Sequence, residues 1–189
     1  RFLSIDILKA LAIIGMIFAN AVQIYYTVPW WLKHAELFGV TWVDLVAPGF
    51  LFMFALNFRI SYYKSKLNGS LNKKGLAIKY LIRYLVYFIL GILISIRFNE
   101  TGLYFTWDIL CVISISGIIL FFIKKLNSIG LFIIGLSSLL LHSILLLTPI
   151  QQLIFTSWNA GIFGIFSWIS LTIFAYLMAE GIIKGHFFK

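Results

Sequence analysis

The chain is divided by six apolar runs, at residues 8–26, 40–62, 77–98, 107–123, 129–147 and 161–183. A helix that crosses about 30 Å of hydrocarbon needs about 20 mostly apolar residues, so each run is a candidate span; the fourth and fifth are the shortest. Hydrophobic residues make up 62% of the 189 positions and charged residues 11%. A soluble domain carries about 25% charged residues. So much Ile, Leu and Phe cannot be hidden in one small core, which leaves the bilayer as the solvent. The expected fold is all-α: a polytopic transmembrane bundle of about six helices, in a single domain over 1–189. The first run is too long for a cleavable signal peptide, and no small-residue cleavage site follows it. The single cysteine, Cys111, lies in an apolar run and cannot form an internal disulfide. No metal site is expected.

The net charge of +9 does not point to nucleic acid, because the basic residues fall in short loops and at helix ends. With the N-terminus in the cytoplasm, thirteen of the fifteen Lys and Arg lie inside, and only Lys33 and Arg97 lie outside. The positive-inside rule then puts both termini in the cytoplasm. Trp30, Trp31, Trp42, Trp107 and Trp158 fall near the outer interface and Tyr62, Tyr63 and Tyr80 near the inner one, as an aromatic belt requires. The pattern fits a multi-pass protein of a prokaryotic plasma membrane. The basic loop 64–75 rests against anionic headgroups. A kink is expected at Pro48-Gly49.

Ionisable groups inside spans are costly, and each calls for a reason. Asp6, Lys9 and Asn20 share a stripe of the first helix, since at 100° per residue Asn20 lies about 20° from Lys9 and about 40° from Asp6. An Asp6–Lys9 pair is one reading, with Asn20 bonding a neighbouring helix. Asp44 follows Thr41 by three residues, so a capping box or a simple dipole charge would account for it. Yet His34 precedes Asp44 by ten residues across a short connection, which brings imidazole and carboxylate into one neighbourhood. A histidine oriented by a carboxylate is a general-base arrangement. Lys79 and Arg83, four apart, put like charges on one face and need an anion nearby. A protein carboxylate, a lipid phosphate or a cofactor phosphate would serve. Glu180 and Lys184 have the favourable i,i+4 order. His142 reads as a helix–helix donor, and Asp108 as a helix N-terminal partner. Phosphate-binding, dinucleotide, nucleophile-elbow and zinc motifs are absent from the sequence.

The first third of the chain resembles the membrane domain of heparan-α-glucosaminide N-acetyltransferase and its prokaryotic relatives. Arg1-Phe-Leu-Ser-Ile-Asp6-Ile-Leu-Lys9-Ala10 resembles the family's opening Arg-x-x-Ser-x-Asp-x-x-Arg-Gly, with Lys9 and Ala10 departing from it. Lys33-His34-Ala35 resembles the Lys-His-Ala that holds the family's catalytic histidine. Val43-Asp44-Leu-Val-Ala-Pro48-Gly-Phe-Leu-Phe52 resembles its Ala-Asp-Leu-Val-x-Pro-x-Phe-x-Phe run, and Thr106-Trp-Asp-Ile-Leu110 is a weaker likeness. The resemblance implies acyl transfer from cytoplasmic acetyl-CoA, without a metal, to an amine or hydroxyl acceptor such as a sugar at the outer face. It implies His34 as base or acyl carrier, Asp44 as its orienting group and Asn20 as oxyanion donor. Lys9, Arg59, Lys79 and Arg83 would hold the CoA phosphates. Family members are longer, so a homodimer is one way to complete the site. The other readings are a small-molecule transporter or channel, marked by a broken helix near the midplane, and a non-catalytic membrane subunit.

Overall fold

The computed structural model describes residues 3–22, 25, 27–35, 39–67, 73–99 and 102–185. Arg1 and Lys189, counted above among the inner charges, lie outside them. Five helices are long and apolar enough to cross a membrane among these residues: Leu3–Val22, Trp42–Ser65, Ala77–Ser95, Ser128–Leu145 and Ile165–Ile183. They belong to α1 (Leu3–Val22), α2 (Trp42–Leu67), α3 (Lys73–Ser95), α5 (Ser128–Leu145) and α7 (Ile165–Ile183). A sixth, α4 (Ile109–Ile123), is shorter. The architecture is thus an all-α polytopic membrane bundle.

α4 and α7 form its centre. Cys111, Val112, Ile113 and Ser114 of α4 and Ile173, Ala175 and Tyr176 of α7 are all buried. The helices beside them approach closely at small residues. An added Cβ at Gly91 of α3 would lie 2.8 Å from the Cys111 backbone nitrogen, and one at Gly117 of α4 would meet the Tyr84 ring at 2.5 Å. Ser114 Oγ donates to the Tyr84 carbonyl across the same seam at 2.6 Å. On the other side, Ser138 Oγ of α5 donates to Phe166 O at 2.7 Å, and His142 Nδ1 lies 3.3 Å from Phe163 O. His142 therefore bonds across to the segment that leads into α7, in keeping with its reading as a donor between helices. α1 packs mainly against α2, with Gly15 on Val46 and Phe18 against Trp42.

Three local features add to the sequence reading. The third run ends in a hairpin rather than a longer helix: β1 (Ile96–Asn99) pairs antiparallel with β2 (Gly102–Phe105), and Asn99 lies opposite Gly102. α2 continues through Pro48 from Trp42 to Leu67 as one helix. A short α6 (Gln151–Thr156) and a 3-10 turn at Trp158–Ala160 occupy the last connection. Asp108 caps α4 by accepting from Leu110 N at 2.8 Å, as expected.

The alternating helix directions define two ends. One holds His34, the hairpin and Trp158. The other holds Arg59, Lys64, Lys124 and Lys184, and is called the basic end below.

Candidate functional site

At the His34 end, a 3-10 turn (Trp30–Leu32) leads the chain back over the start of α2. Thr41 and Asp44 build that start. Thr41 N donates to Asp44 Oδ2 at 2.8 Å, which is the reach-back half of a capping box. The Thr41 hydroxyl lies 2.7 Å from Lys33 O and 3.0 Å from Asp44 Oδ2. Given to Lys33 O, its single proton ties the incoming connection to the start of the helix. Ala35 N donates to the same carboxylate oxygen at 3.3 Å.

The other carboxylate oxygen, Oδ1, meets His34 Nδ1 at 2.6 Å. All of the partners around Asp44 are donors, so the carboxylate acts as acceptor and Nδ1 carries the proton. In the neutral imidazole, Nε2 then keeps its lone pair. The imidazole is about half exposed, at 53%, against 27% for Asp44. Asp44 thus divides its work by atom. Oδ2 caps the helix and fixes the connection, and Oδ1 orients an accessible imidazole. Both readings of Asp44, as cap and as histidine partner, describe the same side chain.

Asn20 does not join this pair by a hydrogen bond. It lies two residues beyond Phe18, whose ring meets Trp42, but its own side chain is exposed. Gly15 and Ala19 face α2, and helical spacing turns Asn20 well away from them.

The four basic candidates occupy three separate settings. Lys9 pairs with Asp6 at 2.9 Å on α1. Arg59 turns into the bundle, 3.8 Å from Glu180 and with its guanidinium 5.1 Å from the centre of the Tyr176 ring. Its Nε is buried with no hydrogen-bond partner. Glu180 also accepts from Lys184 at 2.7 Å, the i,i+4 pair expected from spacing. Lys79 and Arg83 are exposed on α3, with the Arg83 guanidinium over the Tyr80 ring at 5.5 Å. Sequence spacing did not reveal the Arg59–Glu180–Tyr176 group. The isolated charges on two distant helices were the available signal, and only packing joins them.

Fold and site together define a polytopic helical membrane protein with an oriented imidazole at one end and an inward-facing arginine at the other. The family model for heparan-alpha-glucosaminide N-acetyltransferase, catalytic, matches residues 1–188, and the chain belongs to that family. It is, at that level, a membrane acetyltransferase. No curated protein matches the chain.

Proposed function

We propose that the protein transfers an acetyl group from acetyl-CoA, bound at the basic end, to an amine or hydroxyl of a sugar acceptor at the His34 end. The observation that carries this reading is the 2.6 Å contact between His34 Nδ1 and Asp44 Oδ1 on an imidazole that is about half exposed. Nε2 takes the proton of the attacking amine as nitrogen bonds to the acyl carbon. The carbon–sulfur bond breaks, and the CoA thiolate leaves with the electron pair and takes the proton from the imidazolium, which returns to neutral imidazole. Asp44 holds the imidazole in the tautomer this requires and stabilises the imidazolium that forms. Asn20, which turns away from α2, is not assigned to the developing oxyanion. No metal takes part.

Arg59 is the cation we assign to the CoA phosphates. It stands at the basic end of the helix that carries Asp44, fifteen residues along, or about 22 Å at 1.5 Å per residue. The donor's long pantetheine arm would cover that distance. Glu180 holds Arg59 at only 3.8 Å, and the buried Nε has no partner, so a phosphate would add bonds that the protein does not supply. The basic end faces the cytoplasm of a plasma membrane in this reading, as the charge partition requires.

Calorimetry of acetyl-CoA binding to the detergent-purified protein tests the donor half. Saturable binding weakened about tenfold or more by Arg59→Gln is expected, in keeping with loss of a charge-assisted contact. Absence of binding at millimolar acetyl-CoA would remove the donor from the account.

A further inference from the structure

We infer that Lys79 and Arg83 form a binding site for the phosphate headgroup of an anionic phospholipid, on the outward face of α3 in the leaflet at the basic end. Helical spacing places both residues on one arc with Ile78, Ile82, Val86, Ile89, Leu90 and Leu93, all exposed. The opposite side of α3, with Tyr80, Tyr84, Gly91 and Ser95, is buried against the bundle. The two cations therefore stand at the edge of an exposed apolar surface that acyl chains fit.

Their setting differs from that of the inward and paired cations. Lys9 has Asp6, and Arg59 and Lys184 share Glu180. Lys124 lies over the rings of Phe121 and Tyr62. Among the described residues, no carboxylate pairs with Lys79 or Arg83. Two like charges four residues apart repel each other on a helix and are relieved by an anion between them. Arg83 lies six residues beyond the start of the span at Ala77, about 9 Å deep. Helical side chains lean toward the N-terminus of their helix. For α3 that direction is the basic end, so the guanidinium reaches back toward the headgroup level along the Tyr80 ring. A phosphodiester there accepts from both cations while its acyl chains lie along Ile82, Val86 and Leu90.

The site is distinct from the one assigned to CoA phosphates, and the two assignments fail separately. The test is native mass spectrometry of the protein released from membranes of mixed phosphatidylglycerol and phosphatidylcholine. Wild type is compared with Lys79→Gln/Arg83→Gln and with the charge-keeping Lys79→Arg/Arg83→Lys. About tenfold enrichment of bound phosphatidylglycerol is expected in wild type and in the charge-keeping variant, falling to about twofold or less in the neutral one. Equal enrichment in wild type and the neutral variant would overturn the site. Displacement of the lipid by millimolar inorganic phosphate or acetyl-CoA would overturn it in favour of a soluble phosphate ligand. A protein dimer that the neutral pair of substitutions dissolves would overturn it in favour of a second copy covering the face. Should the neutral variant fail to fold, the lipid enrichment of wild type alone decides, and its absence overturns the site.

Discussion

Two atoms of one carboxylate explain why residue-level reasoning could find the His34–Asp44 pair and could not rank its roles. A ten-residue separation across a short connection limits how far apart the two side chains can lie. Whether Asp44 serves the helix or the imidazole is decided by Oδ1 and Oδ2 separately, and spacing does not see single atoms. Asn20 shows the opposite limit. Its stripe with Asp6 and Lys9 was legible from 100° steps, but which way the stripe turns depends on where Gly15 and Ala19 meet α2. Lys124, at the end of α4, carries a prediction at this scale. Burial first, and the neighbouring Lys125 second, lower its amine from 10.5 to about 8, although the rings of Phe121 and Tyr62 favour the cation. The unfolded chain then holds this proton to higher pH than the folded one, so stability is lowest below pH 8 and rises as pH climbs from about 8 toward 10.5. Thermal unfolding in detergent should show that rise in wild type and a smaller one in Lys124→Met. Identical pH profiles would show that the amine titrates normally.

Elements were legible where length and composition suffice. Apolar runs of about 20 residues announce membrane helices. Five such helices overlap five of the six runs, and the shorter α4 occupies the sixth. The hairpin was not legible, because Ile96-Arg97-Phe98 continues an apolar helical run without a break. Periodicity does not separate a short apolar strand from the end of a helix. Nor does the sequence show how closely helices approach, which here depends on single hydrogens. At Gly91 an added Cβ would meet the Cys111 backbone nitrogen at 2.8 Å, and backbone cannot step aside. At Gly117 it would meet the ring of Tyr84, itself buried, at 2.5–2.7 Å. Gly91→Ala is therefore expected to destabilise by about 1–3 kcal/mol through overpacking. Its shift in melting temperature should exceed that of Gly49→Ala, a position where an added Cβ meets nothing within 4 Å. Equal shifts at the two positions would mean that the α3–α4 seam is not closely packed.

For the whole molecule, charge and chemistry sort to opposite ends. Composition showed the bilayer as solvent, and the Lys and Arg count marked which end is basic; α2 links the two, with Asp44 at one end and Arg59 toward the other. The sequence did not show that Arg59 turns inward while Lys79 and Arg83 turn outward, because that depends on which helices surround α2 and α3. The arrangement gives the account its central claim, that the imidazole oriented by Asp44 is the base of acetyl transfer. The most direct measurement is turnover in proteoliposomes, with labelled acetyl-CoA on one side and glucosamine on the other, for wild type, His34→Ala and Asp44→Asn. The account predicts a fall of about 10²–10⁴ in kcat for His34→Ala, a clear loss for Asp44→Asn, and an unchanged KM for acetyl-CoA in both. Wild-type turnover that persists in His34→Ala would contradict it.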